Sequence, residues 1–302
     1  MGTLNRDSQI RMKTFDWLAE QTLIHGDVLP RRPLLEKGFI FEGDDVPLVS
    51  AQGIFKPRIM DLPISITTSP KGPYSDSFEE NGLLSYKYRG TDPLHRDNVG
   101  LRSLMKNQIP LVYFHGIVPN RYLAVWPAFI VGEKPNSLSF QVAIEDMGML
   151  AQSAISEIAE SDLARRTYLT TTVKHRLHQR NFREKVLHAY RDSCAICRLK
   201  HRELLDAAHI IPDNEPDGHP IVSNGLSLCK LHHSAFDSFI IGISPDYKVI
   251  VRGDILEETD GPVLQYALKN LHESSLILPS SVRERPNRDN LAWRFDRFKA
   301  VG

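Results

Sequence analysis

The sequence predicts an α+β protein: an amino-terminal β domain over residues 1–160, a basic helical linker over 161–190, and a small metal-pinned domain over 191–302. Three observations predict it. The first half is cut into short β-type segments by glycine and proline, a pattern that favours a barrel or open β domain over a doubly wound sheet. The segment Cys194–Asp237 carries Cys194-x2-Cys197 and Cys229-x2-His232, two ligand pairs suited to one tetrahedral ion. Between the two halves, Arg165–Arg202 holds eleven lysines and arginines against two acids. Its place beside the metal motif suits a phosphate-binding element better than a merely solvated face.

Composition narrows the classes. A chain of 302 residues is long enough for two cores, and 41% hydrophobic with 25% charged residues is ordinary for a globular protein. No run of 18 apolar residues occurs, so no membrane partner is expected. The opening MGTLNRDSQIRMKTFDWLAE is polar before it is periodic and matches neither a signal peptide nor a myristoylation signal. All three cysteines fall in the ligand set, which leaves none for a disulfide framework and points to the cytoplasm. The formal net charge is zero, so only the local basic run speaks for nucleic acid.

In chain order, the spacing of Met12, Phe15, Leu18 and Leu23 predicts an amphipathic helix over Ile10–Ile24. A turn into Phe39–Phe41 follows, then short β segments in Pro47–Met60 and Leu62–Thr68. Leu83–Tyr88 reads as a strand with Leu84, Tyr86 and Tyr88 on one face. Asn98 is placed to cap a helix over Val99–Lys106. Pro110–Phe114 is the next strand, His115–Asn120 a loop, and Tyr122–Val131 a strand in which Pro127 marks an edge or bulge. Ser137–Ile144 is another strand, and 151–159 a helix leading into the linker. There Phe182, Val186, Leu187 and Tyr190 form an apolar stripe, with Arg176, Arg180, Arg183 and Lys185 left for DNA phosphates.

Within the metal segment, Leu204–Ile210 is a largely apolar run carrying His209, and a helix begins near Lys230. Adjacent residues on a helix diverge by about 100°, so His232 faces the ion while His233 faces elsewhere. The ligand set alone fits a purely structural zinc finger as well as an enzyme. Beyond Asp237, Phe239–Ile243 and Tyr247–Arg252 are short strands, Leu264–Leu271 a small helix, and Asn290–Phe298 a tail that packs back on the core.

The order His209, Asn224, His233 around these four ligands resembles the HNH, or ββα-metal, nuclease family in its zinc-containing form. The resemblance implies a structural zinc on Cys194, Cys197, Cys229 and His232. It implies His209 as the general base that activates water, His233 as a ligand of a catalytic Mg2+ or other divalent ion, and Asn224 as the residue that holds a loop or orients the base. Many members carry an acid directly before the first histidine. Here that position is Ala208, and Asp206 is the nearest local carboxylate for the catalytic ion.

The stretch PYSDSFEENGLLSYKYRGTDPLHRDNVGLRSLMKNQIPLVYFHGIVPNRYLAVWPAFIV is similar, more weakly, to the domain that precedes HNH nucleases in modification-dependent restriction enzymes. Those domains resemble SRA/PUA-like β barrels that read modified cytosine. The implied fold class is therefore an SRA/PUA-like β barrel followed by a zinc-stabilised ββα-metal nuclease domain. The implied function is cleavage of double-stranded DNA carrying modified cytosine, with a homodimer expected if both strands are cut together. A flipped base needs stacking rings and edge-reading polar groups. Tyr74, Tyr86, Tyr88, Tyr113, Tyr122 and Trp126 supply rings, and Asp76, Asp92 and Asn98 supply edges. Each ring also fits ordinary core packing, and the sequence leaves both readings open. Two other functions stand beside this one: a catalytically silent zinc-containing DNA-binding protein and a modification-independent defence nuclease.

Overall fold

In the computed structural model, residues 5–70, 77–79, 83–144, 179–259 and 261–301 are described. The expected 151–159 helix, most of the basic linker, Tyr74, Asp76 and Arg176 lie outside them. The chain divides into two compact units, Met1–Leu177 and His178–Gly302.

The first unit is a curled sheet flanked by helices. Helix α1 (Arg6–His25) is capped by Asn5, whose side chain accepts from the Ser8 amide. The strands are β1 (Val28–Pro30), β2 (Phe39–Phe41), β3 (Asp44–Val46), β4 (Ile54–Phe55), β5 (Ser65–Thr68), β6 (Ser77–Phe78), β7 (Leu84–Lys87), β8 (Leu111–Val118), β9 (Arg121–Lys134) and β10 (Ser139–Ile144). The main sheet runs β4-β5-β8-β9-β10-β7-β6, with β1 added on β9 and β2–β3 forming a separate hairpin. Its pairings are antiparallel except β5 with β8.

Strand β8 is buried on both faces, as a strand sandwiched between layers must be. Val112 and Phe114 pack with Ile10 and Leu18 of α1. Leu111 and Tyr113 face the other core, which takes in Leu101 and Leu104 of α2 (Arg96–Asn107). The Tyr86 hydroxyl of β7 donates to the Thr67 carbonyl of β5 at 3.3 Å, so the sheet curls until strands far apart in its order meet.

Three local expectations are corrected here. Strand β8 runs on through His115–Val118, because the backbone of Gly116 and Val118 pairs with β9. Helix α2 starts earlier than expected, with His95 as its cap: the His95 Nδ1 accepts from the Asp97 amide at 3.2 Å. Asn98 instead sits inside the first turn, fully buried, and bonds the Arg89 amide and the Arg89 and Asp92 carbonyls. The bulge expected at Pro127 is present: Tyr113 pairs with Val125 but Leu111 with Ala128, leaving one extra residue on β9.

The second unit is built on a β hairpin and one short helix. Strands β11 (Leu205–His209) and β12 (Gly225–Cys229) pair antiparallel, with His209 opposite Gly225 and Leu205 opposite Cys229. Helix α4 (Lys230–Asp237) follows directly, with Cys229 at its N-cap. A preceding helix, α3 (179–189), buries Phe182, Val186 and Leu187 in the same core. Beyond lie β13 (Ile241–Ile243), β14 (Val249–Val251), α5 (Gly253–Glu257), α6 (Pro262–Ala267) and α7 (Arg288–Val301). Among the described residues no helix is long and apolar enough to cross a membrane.

Candidate metal centre and histidine pair

The hairpin ends put the four ligands together. The turn after Cys194 is closed by the Arg198 amide on the Cys194 carbonyl, and the Ala195 amide donates to Ser227 of β12 at 2.7 Å. This delivers Cys194 and Cys197 beside Cys229. One ligand atom from each of Cys194, Cys197, Cys229 and His232 lies within 4.8 Å of all the others, which makes a Cys3His cluster fit for zinc. The His232 Nδ1 faces Cys229 Sγ at 3.2 Å and Cys194 Sγ at 3.5 Å. Its Nε2 donates to the Ala267 carbonyl at 2.8 Å, the outer contact that fixes the tautomer of a ligating histidine.

His209 and His233 sit apart from that cluster. Phe182 stacks on His209 with ring centroids 4.0 Å apart and 16° between planes. Among the described residues the buried His209 Nε2 has no hydrogen-bond partner. Burial therefore leads in holding the His209 pKa below the ordinary histidine value; nearby Asp213 opposes that and His233 reinforces it. His209 is thus close enough to sense the charge of His233. His233 is pushed the opposite way, above the ordinary value, chiefly by its hydrogen bond to Asp237. Its Nε2 lies 3.2 Å from Asp237 and its Nδ1 3.7 Å from Asp206.

Asp206 and Ala208 alternate onto one face of β11. Ala208 is fully buried, so the position directly before His209 has no room for a solvated acid. Asp206, one step back on that face, is the carboxylate that reaches His233.

Asn224 holds a loop. Fully buried, it accepts from the Ile211 amide and donates to the carbonyls of Ile211 and His219, all at 3.0–3.1 Å. It closes the segment directly after His209, which makes it a positioning residue and not a group left open to substrate.

Of the phosphate-binding candidates in α3, Arg180 and Lys185 are exposed. Arg183 is not: its guanidinium donates to the carbonyls of Arg202 and Leu205 and pairs with Glu184. Buried Glu184 also binds Arg202, which in turn pairs with Asp192. The expected exposed arginine is instead part of a clasp between α3 and the start of β11.

In the first unit a cavity of about 610 Å³ opens where β4 and β5 meet β7. Tyr86, Tyr88 and Asp92 line it, together with Thr67, Lys87 and Arg89. The other ring and edge candidates among the described residues are placed elsewhere. Tyr113 is fully buried and bonds Thr68 and His115, Tyr122 and Trp126 pack in the α1-side core, and Asn98 is committed to backbone. The Tyr88 hydroxyl bonds Glu133, which Arg102 grips with two nitrogens, so Tyr88 is a wall of the cavity more than a free reader.

Sequence reading missed several partners. Phe182 was visible as part of an apolar stripe and of a QxxFR segment, Gln179–Arg183, but not as the ring stacked on His209, and Ala267 acts through its backbone, which carries no residue signature. Arg294 and Asn290 lie far along the chain from the motif they touch.

A family model described as HNH endonuclease matches residues 194–244. No curated protein matches the chain. Weakly similar solved structures include two restriction endonucleases. One is a modification-dependent TagI restriction endonuclease, 17% identical, covering 78% of this chain and 81% of its own, with a TM-score of 0.29. The other is the type IV phosphorothioation-dependent restriction endonuclease ScoMcrA, 15% identical, covering 78% of this chain and 50% of its own, with a TM-score of 0.21. Within an α+β chain whose first unit is a curled β sheet, residues 194–244 form an HNH-like nuclease domain around a zinc-type Cys3His cluster.

Proposed function

We propose that this protein is a modification-dependent DNA endonuclease. Its first unit, read as an SRA/PUA-like domain, recognises modified cytosine in duplex DNA, and its second hydrolyses the phosphodiester. The observation that carries the reading is a separation within the second unit: a Cys3His cluster at the end of the hairpin, and beside it a histidine pair that stands outside that ligand set. The cavity beside Tyr86 and Asp92 supports the recognition half, since about 610 Å³ falls in the usual range for small-ligand pockets.

In this reading His209 takes the proton of the attacking water. Burial keeps the ring neutral near pH 7, the form that can accept a proton. Water oxygen bonds phosphorus as the bond from phosphorus to the 3′ oxygen breaks, leaving a 5′-phosphate and a 3′-hydroxyl. His233 and Asp206 are the nitrogen and oxygen donors that would hold Mg2+ or another divalent ion. Two such donors are enough for an ion that keeps several of its waters. When bound, such an ion offsets charge building on the phosphoryl oxygens. Lys185 and Arg180 of α3 would meet the backbone of the duplex. The three cysteines, free of disulfides, suit a reducing cytoplasm.

Supercoiled plasmids that are unmodified, 5-methylated or 5-hydroxymethylated at cytosine test the proposal, with wild-type protein and His209→Ala side by side in Mg2+. The expected result is cutting of a modified plasmid only, abolished in the variant, with end-group analysis returning 5′-phosphates. Equal cutting of every plasmid would sink the recognition half. Binding without cutting would sink the catalytic half. Simultaneous double-strand cuts together with a dimer in sedimentation would support paired copies.

A further inference from the structure

We propose that the C-terminal helix α7 braces the candidate active centre, with Arg294 as a positioning residue that holds His233 through Asp237. The inference rests on the nuclease reading above and adds to it a residue well beyond the matched segment 194–244.

The geometry is a chain of contacts. Arg294 is buried, yet it belongs to the residue type least at home in a core. Its guanidinium lies over the rings of Phe236 and Phe239, 4.6 and 4.7 Å from their centroids. One nitrogen, Nη2, donates to the Phe236 carbonyl at 3.2 Å and to Asp237 Oδ1 at 3.3 Å. The other oxygen of that carboxylate, Oδ2, lies 3.2 Å from His233 Nε2. Asp237 is more than half exposed, so without Arg294 its partner among the described residues would be His233.

The helix is seated firmly enough for this task. Leu291, Arg294 and Phe298 share one face and are all buried. Phe298 approaches Gly242 of β13 so closely that a Cβ there would stand 2.6 Å from its ring. On the neighbouring turn, Asn290 donates to Asn224 Oδ1 at 2.9 Å. Residues 290 and 294 are thus one helical turn apart, and each reaches one member of the His-Asn-His set or its partner.

His233 thus has Nε2 against Asp237 and Nδ1 turned toward Asp206, the orientation a metal-binding pair needs. Removing either Asp237 or Arg294 frees the ring. The burial of Arg294 serves no evident purpose in packing that an apolar residue of like volume would not serve better.

The test compares Arg294→Met, Arg294→Lys, Asp237→Asn and the Arg294→Met/Asp237→Asn double variant with wild type, in the full chain. Zinc content and melting are checked first. Plasmid cleavage is then measured against Mg2+ concentration, and imidazole 15N shifts are recorded, with His233→Gln assigning the His233 signals. Asp237→Asn and Arg294→Met should each lower activity or weaken Mg2+ half-saturation by about 10-fold or more. The double variant should be no worse than the poorer single, and the KM for DNA should hold. The His233 15N pattern should move from one tautomer toward a mixture. Unchanged Mg2+ dependence with an unchanged 15N pattern would overturn the proposal, as would fully multiplicative losses. If wild type cuts no DNA, the nuclease reading fails, and the 15N pattern alone decides whether Arg294 sets the His233 tautomer. If Arg294→Met does not fold, Arg294→Lys and Asp237→Asn carry the same two outcomes.

Discussion

His232 and His233 are neighbours in sequence and opposites in setting. His232 is 1% exposed, with one nitrogen on two sulfurs and the other on a backbone carbonyl. His233 is half open and faces two carboxylates across 3.2 and 3.7 Å. One helical step of α4 separates a residue of the Cys3His cluster from one that faces two carboxylates. The difference teaches that neighbouring histidines on one helix take different settings according to what meets their two nitrogens, sulfur and a backbone carbonyl in one case and carboxylates in the other.

The largest expected effect falls on the cluster. Cys197→Ala removes one zinc ligand, and zinc contributes about 10–16 kcal/mol to the folding of small zinc-binding peptides. That is as much as the whole stability of an ordinary domain, roughly 5–15 kcal/mol. The variant should therefore bind less than one zinc per chain and lose the cooperative melting of its second unit, read by metal analysis and circular dichroism. A variant that melts and cuts like wild type would erase the distinction between the two centres.

The histidine pair should show itself in pH dependence. His209 works as a base only when neutral, and its pKa is depressed by burial. Cleavage should fall about tenfold per pH unit only below a midpoint lying under the ordinary value near 6.5. An acid limb centred above 6.5 would move the critical ionisation to His233, whose pKa is raised by Asp237. Stability runs with opposite signs at the two sites. The His233–Asp237 contribution is full below the unfolded histidine value and is lost as pH rises through the raised folded one. The His209 contribution is present above the unfolded value and lost as pH falls through the depressed one. Melting of Asp237→Asn across pH 5–8 should lack the first component and retain the second.

How much of this was legible in the sequence follows from range. Cys-x2-Cys and Cys-x2-His are local patterns, so the ligand set could be read from spacing, and the 100° step put His232 and His233 on different faces. The strand carrying Leu84, Tyr86 and Tyr88 on one face was equally plain from alternation. Contacts made through the backbone or across long loops leave no such mark. Asn98 has the composition of a helix cap, but its side chain was claimed by the Arg89–Asp92 turn. Arg183 looked like a surface cation because helical spacing says which face a residue takes and not what covers that face.

Helix α3 sharpens the comparison on a smaller scale, since it serves both fold and site. Arg183→Ala leaves the carbonyls of Arg202 and Leu205 without their donor and should cost about 1–3 kcal/mol in chemical denaturation. Phe182→Leu keeps an apolar side chain but removes the ring stacked on His209. It should cost roughly 0.5–1.5 kcal/mol beyond the area lost and reduce cleavage several-fold as the imidazole gains freedom. A cleavage rate untouched by Phe182→Leu would make the stack a packing contact alone.

The smallest effect belongs to Lys185, exposed on the same helix two residues from Arg183. Its ammonium lies where charge contributes little to folding, so Lys185→Ala should shift stability by no more than about 0.5 kcal/mol. On DNA the same change should weaken binding alike on modified and unmodified duplexes and lower the slope of log affinity against log salt by about one. Arg183→Ala, matched for charge lost, should leave that slope nearly unchanged wherever it still folds, because its guanidinium is already bound to protein. Equal slopes for the two variants would mean that α3 does not lie on the backbone of the duplex. A reduced slope for Lys185→Ala alone would separate, within one turn of one helix, the charge that meets phosphate from the charge that holds the fold.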